Sequence, residues 1–229
     1  MSRAWGIIVA AGNSRRMEGR DKIFAPLAGR PLLWYALDLF EKCPEVEGTI
    51  VVVAEEARPR VGELTSPCAK VAAVVAGGAR RQDSCWAGLQ AAAARANLDA
   101  KVLIHDAARP LADAAMLARI LGALERADGV VPTIALADTV KEVDGEGRVV
   151  ATPARERFRA VQTPQGFRLG AIIAAYRQAR AHGWEVTDDA TVLELSGGSV
   201  SAVAGDRRNL KVTYPEDLAL AAAMLAASP

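Results

Sequence analysis

The sequence predicts an α/β fold, a mostly parallel sheet covered by helices on both faces. Three observations carry this. Short β-branched runs alternate with segments whose apolar residues recur at helical spacing. Glycine loops follow several of these runs, at the strand ends where such a sheet keeps its ligands. The 229 residues are 51% hydrophobic, enough for one domain with a sizeable core.

The first expected strand is GIIVA (6–10), left through AAGNSRRM (10–17). A helix follows Pro31, with Leu33, Ala36, Leu37 and Phe40 at i, i+3, i+4 and i+7. GTIVVVA (48–54), KVAAVV (70–75), KVLIH (101–105) and GVVPTIAL (129–136) read as buried strands, with helices over 80–96 and 113–127 between them. The alternation breaks after Leu136. DTVKEVDGEGRVVATPARERF places β-type residues around DGEG, a hairpin signal, and carries few large apolar residues. It reads as an arm over 137–160 projecting from a single domain of 1–229; a solvated surface hairpin is the other reading. RLGAIIAAYRQARAHG returns to helical periodicity. VSAVAG reads as a strand and YPEDLALAAAMLA as a closing helix, with Pro215, Glu216 and Asp217 in its first turn.

Bulk properties exclude several classes. The formal net charge is +1, without the excess of Lys and Arg expected of a nucleic-acid or membrane-surface protein. Cys43, Cys68 and Cys85 are odd in number and form no CxxC pair, so a disulfide framework or zinc site is not expected and a cytoplasmic location is. The N-terminal apolar run is too short for a secretory signal, and LALAAAMLAA is too short to span a membrane.

A glycine loop after the first strand suits an anion, because Gly12 lets the backbone approach a ligand closely. A dinucleotide fingerprint would need three glycines and a Walker loop would need GK[ST]; neither is present. The loop supplies Arg15, Arg16 and Lys22, cations suited to a triphosphate and to charge developing on it; solvated surface arginines are the alternative. GGARRQDS adds Gly77, Gly78, Arg81 and Ser84. HDAARP adds Asp106 and Arg109, and NLKVTYPEDL adds Lys211. All follow strands or lie late in the chain, so one rim collects glycines, cations and a carboxylate.

Taken in order, AAGNSRRM, GGARRQDS, HDAARP, DTVK, VQTPQGF, TDDA and NLKVTYPEDL resemble the 2-C-methyl-D-erythritol 4-phosphate cytidylyltransferases over essentially the whole chain. The resemblance implies a Rossmann-like nucleotidyltransferase fold and a homodimer built by exchanged β-arms. It also implies transfer of cytidylyl from CTP to methylerythritol phosphate, with pyrophosphate released, for isoprenoid precursors. By the same resemblance Arg16 and Lys22 act on the transition state, and Arg155 and Lys211 position the acceptor. Ala10, Ala11, Gly12, Gly78, Ser84 and Asp106 belong to the CTP side, Gly78 and Ser84 selecting cytosine. Asp106, Arg109, Thr139, Thr163 and Thr187 lie near the sugar phosphate. Ser14, Asp21, Cys85 and Ala79 depart from the common pattern, and Ala79 leaves base recognition to backbone or water.

The chemistry agrees with so few histidines. The nucleophile is a substrate phosphate, already ionised, so positioning and charge stabilisation suffice. His105 reads as support for a strand end, and His182 as a helix-end surface residue. Mg²⁺ is expected on the triphosphate, held mostly by phosphate oxygens and water, with Asp106 either touching it or receiving substrate hydroxyls. Asp188 and Asp189 read mainly as a helix start. Ribitol 5-phosphate as acceptor is the alternative substrate. A dehydrogenase lacks its glycines here, and a silent nucleotide-binding module would not need Lys22, Arg155 and Lys211. A C-terminal fusion to a cyclodiphosphate synthase is left open.

Overall fold

The computed structural model describes residues 3–12 and 22–227. β1 (Ala4–Val9) opens the sheet. A single 3₁₀ turn at Lys22–Phe24 leads to a small hairpin, β2 (Pro26–Leu27) and β3 (Arg30–Pro31), then to α1 (Leu32–Lys42). β4 (Val46–Val53), α2 (Arg58–Thr65), β5 (Val71–Ala76), α3 (Arg81–Ala93), β6 (Lys101–Asp106), α4 (Ala114–Ala123) and β7 (Gly129–Ala135) follow. The chain continues through β8 (Glu142–Val143), β9 (Val149–Ala151), β10 (Arg159–Val161) and β11 (Gln165–Arg168). It closes with α5 (Leu169–His182), α6 (Asp189–Leu195), β12 (Val200–Ala204) and α7 (Pro215–Ala226).

The sheet runs β10-β7-β11-β6-β1-β4-β5, with β12 also pairing β7. β6, β1, β4 and β5 pair in parallel, as does β12 with β7, while β10 and β11 are antiparallel. The central strands β1, β4 and β6 are buried on both faces because alternate residues feed two cores. Ile8, Val51, Val53 and Leu103 meet α1, α2 and α4 through Leu33, Leu37, Phe40, Val61, Leu117 and Ile120. Ile7, Ile50, Val52, Val102 and Ile104 meet α3, α5 and α6 through Leu89, Ile172, Tyr176 and Leu193. A third, smaller cluster joins Leu27, Leu32, Val212 and Ala221, and so fastens α7 to the β2–β3 hairpin.

The expected strands and helices are present, with ends moved by a few residues. The hairpin β2–β3, helix α2 and strands β10 and β11 carry no clear periodic signal, and only the structure shows them. The arm is smaller in strand than its sequence suggests. β8 and β9 pair over two positions around a turn whose Asp144 carboxylate accepts the Glu146 and Arg148 N–H groups. Residues 159–160, expected in the arm, already pair with β7, so the excursion closes at Phe158. Val143, Val149 and Val150 stay more than half exposed on it, and Phe158 is exposed at its base.

Candidate active site

Parallel strands end together, and the loops after β1, β5 and β6 meet at one rim. Backbone bonds hold them there: Ala10 N–H donates to Val52 C=O, Gly77 N–H to Val53 C=O and Ala107 N–H to Val9 C=O. Between them lies a cleft of about 260 Å³. Ala10, Ala11, Gly12, Lys22, Gly78, Ser84, Asp106 and Lys211 line it, as do Arg80 and Arg81. Eight residues assigned from sequence are thus brought together. Arg16 lies outside the described residues.

Each wall has a physical cause. The loop after β1 and the loop after β5 touch at Gly77, where a Cβ would sit 2.4 Å from Ala11 Cβ and 2.7 Å from Ser84 Oγ. Among the described residues, nothing lies within 4 Å of where a Cβ on Gly12 would sit. Ser84 is buried, and its hydroxyl shapes the second loop: it accepts the Gly78 N–H at 3.2 Å and donates to Arg80 C=O at 3.2 Å. α3 begins at Arg81, so its N-terminus, the positive end of the helix dipole, opens on the cleft. Lys22 is held near the late segment by donating to Val212 C=O at 3.3 Å.

Asp106, at the end of β6, is the one acidic side chain lining the cleft among the described residues, and it is shared. Arg81 Nε donates to Oδ1 at 3.1 Å, and Lys211 Nζ donates to Oδ2 at 2.6 Å. Burial pushes the Asp106 carboxyl up, but Arg81 and Lys211 outweigh it and hold the group well below the usual carboxylate range. Arg81 also pairs with Asp189 at 2.8 Å. Asp189 is fully buried and accepts the Tyr176 hydroxyl at 2.5 Å. Asp188 is the N-cap of α6, as expected, accepting Thr191 N–H, whereas Asp189 turns inward to Arg81.

His105 supports the strand end from behind. Its Nε2 bonds Arg109 C=O at 3.1 Å and must donate, since a carbonyl only accepts. Its Nδ1 is then an acceptor for the Thr163 hydroxyl at 3.1 Å, and Thr163 Oγ1 accepts the Asp106 N–H at 3.0 Å. Burial, the largest influence, pushes the imidazole down to about 4. Thr163 is therefore buried behind the cleft and not in its lining. Arg109 donates to Asn209 C=O at 2.8 Å and fixes the segment that carries Lys211.

The remaining assigned residues are not among those lining the cleft. Thr187 is exposed before α6, and Thr139 is exposed on the arm. Arg155 is exposed on the arm too, donating to Ala137 C=O at 2.5 Å. His182 is exposed at the end of α5, as expected. The reading from sequence placed Arg81 among the cations of the rim but gave it no individual role and did not foresee its pairing with Asp189. The available signal was an arginine opening a helix just after a glycine pair; nothing local marks its partner.

For a divalent cation the donor set is sparse. Among the described residues no group of three or more His, Cys, Asp or Glu gathers. A single carboxylate among the described residues of a cationic cleft suits an ion carried in on phosphates, with Asp106 adding an oxygen, more than an all-protein cage. No helix among the described residues is long and apolar enough to cross a membrane.

Residues 5–227 match the family model described as IspD, 2-C-methyl-D-erythritol 4-phosphate cytidylyltransferase. The chain is 46% identical over 226 residues to a bifunctional enzyme IspD/IspF of Solidesulfovibrio magneticus, covering 94% of this chain and 55% of that one. It thus spans little more than half the length of that relative. It is 42% identical to a 2-C-methyl-D-erythritol 4-phosphate cytidylyltransferase of Dehalococcoides mccartyi, covering 96% of this chain and 94% of the other. The crystal structure of 4-diphosphocytidyl-2C-methyl-D-erythritol synthase from Anaerococcus prevotii superposes with a TM-score of 0.86 at 28% identity, covering 98% of this chain and 99% of that one.

Proposed function

The chain belongs to the 2-C-methyl-D-erythritol 4-phosphate cytidylyltransferase family, and we propose that it transfers the cytidylyl group of CTP to methylerythritol phosphate. A phosphate oxygen of the acceptor attacks the α-phosphorus of CTP. The bond from that phosphorus to the bridging oxygen breaks, and pyrophosphate leaves with the electron pair. The single observation that carries this reading is the cleft itself: among the described residues, Gly12 and the N-terminus of α3 line it together with the side chains of Lys22, Arg81 and Lys211 and the Asp106 carboxylate. Two polyanions must meet for this reaction, and the cleft offers cations to both.

In this reading the Ala10–Gly12 backbone and the start of α3 receive the triphosphate, with Arg16 and Lys22 on the charge that builds at the α-phosphate. Gly78 and Ser84 hold the loop against which the base lies. Lys211 takes the acceptor phosphate, with Arg155 and Thr139 supplied by the arm of a second copy. Arg109, Thr163 and Thr187 complete the acceptor side; the buried hydroxyl of Thr163 serves by setting Asp106. Mg²⁺, held by phosphates with Asp106 as its protein oxygen, would neutralise charge on the triphosphate. A cytoplasmic homodimer fits this assignment. Ribitol phosphate is the less favoured reading of the acceptor, since the matching family and the Dehalococcoides relative are described by methylerythritol phosphate.

Labelled CTP incubated with methylerythritol phosphate, with ribitol phosphate and with neither tests the reading. Pyrophosphate release only with methylerythritol phosphate is the expected result; release only with ribitol phosphate would reassign the acceptor. Lys22→Ala should slow turnover by about 10²–10³-fold, the usual loss when one preorganised donor is removed. Turnover within threefold of wild type would take Lys22 out of that role.

A further inference from the structure

Asp106 is held by two cations of very different character. Lys211 is exposed, its side chain 44% accessible, on a flexible stem. Its backbone is not free to drift: Val212 N–H donates to Ala108 C=O, and Gln162 and Arg109 both donate to Asn209 C=O. The ammonium can therefore leave Asp106 by rotamer change alone. Arg81 is the opposite case. Its guanidinium spans two carboxylates, Asp106 at 3.1 Å and Asp189 at 2.8 Å. Asp189 is 0% exposed and is itself gripped by the Tyr176 hydroxyl from α5.

A phosphate arriving at the cleft must compete with Asp106 for Lys211. If Lys211 were the only protein partner of Asp106, its departure from a cleft without a bound cation would strand a carboxylate whose side chain is 10% exposed, and breaking a buried pair that way is strongly unfavourable. Arg81 removes that obstacle, because the carboxylate keeps a fixed partner after the lysine has gone. We propose that Arg81, anchored by Asp189 and Tyr176, is a positioning residue that keeps Asp106 compensated so that Lys211 can pass from Asp106 to a substrate phosphate. The assignment of that phosphate to the acceptor rests on the functional reading above; the exchange itself does not.

Steady-state kinetics and phosphate binding test this together. Arg81→Gln should raise the KM for methylerythritol phosphate by about tenfold or more, and by at least threefold more than it raises the KM for CTP. Tyr176→Phe lies outside the cleft and loosens the same anchor. It should show the same split at smaller size, and it keeps the test open if Arg81→Gln does not fold. An equal rise in both KM values would make Arg81 a packing residue and overturn the proposal. The second arm titrates inorganic phosphate against the Lys211 side-chain nitrogen signal in wild type, Arg81→Gln, Asp106→Asn and the double variant. The affinity gained through Asp106→Asn should be at least fivefold larger in the Arg81→Gln background than in wild type, because only there does the carboxylate depend on the lysine. Equal gains in both backgrounds would show that Arg81 and Asp106 act independently, and would also overturn it. If the wild type fails to turn over CTP with methylerythritol phosphate, the functional reading falls, and the phosphate cycle alone decides the exchange.

Discussion

His105 shows how a single buried residue ties the site to stability. Its two hydrogen bonds fix one neutral tautomer: Nε2 donates to Arg109 C=O, and Nδ1 accepts from Thr163. A second proton would have to point at an oxygen already receiving the Asp106 N–H. The folded imidazole titrates near 4, against about 6.5 in an unfolded chain. Between those values the unfolded state binds a proton that the folded state refuses, so stability is full above pH 6.5 and is lost as pH falls toward 4. The loss is on the order of 3 kcal/mol. Urea unfolding from pH 7.5 to 4.5 should show this slope, and His105→Gln should flatten it. An unchanged slope in that variant would assign the pH dependence to other groups.

At the scale of elements, the cleft depends on how closely two loops pack. The loops after β1 and β5 are in contact because Gly77 has no side chain; a Cβ there would overlap Ala11 Cβ at 2.4 Å. Gly77→Ala should push the loops apart, costing about 1–3 kcal/mol of stability as an overpacked contact. The KM for CTP should rise more than the KM for the acceptor. Thermal denaturation and kinetics check the two parts separately, and a normal KM for CTP would show that the loops adjust without moving the nucleotide. The start of α6 works differently. Asp188 caps the helix by accepting Thr191 N–H at 3.0 Å, and it also receives the Gln165 side chain at 2.8 Å. Capping leaves the neighbouring Asp189 at the first helical position, turned toward Arg81.

At the scale of the molecule, the excursion between β7 and β10 has no core of its own. Two paired positions and three half-exposed valines cannot hold a hairpin in place alone, so it needs a surface to dock on. Arg155 and Thr139 sit on it, exposed and not among the residues lining the cleft of their own chain. In the proposed two-fold dimer each arm completes the partner's site. Mixing inactive Arg155→Ala subunits with inactive Lys22→Ala subunits should then restore activity, because one site of each heterodimer holds both wild-type residues. Random equal mixing gives about half heterodimers with one good site each, hence about a quarter of wild-type activity. No recovery despite verified subunit exchange would place Arg155 in its own chain's site.

The strands, most helices and the strand-end location of the cleft were legible in the sequence, because burial on two faces writes β-branched runs and helical spacing directly into residue order. The glycine loops, Lys22 and Asp106 were legible for a related reason, since the end of a parallel strand is a fixed place, whereas Lys211 was given its role only by the resemblance and reaches the rim because Val212 N–H bonds Ala108 C=O. The hairpin β2–β3, helix α2 and strands β10 and β11 were not, since each is short and stabilised by its neighbours more than by its own pattern. Nor was the division of labour around Asp106. Arg81 and Asp189 lie far apart in the chain and carry no shared local signal. They become partners only when α3 and α6 pack on the same face of the sheet, where a buried carboxylate must find a cation.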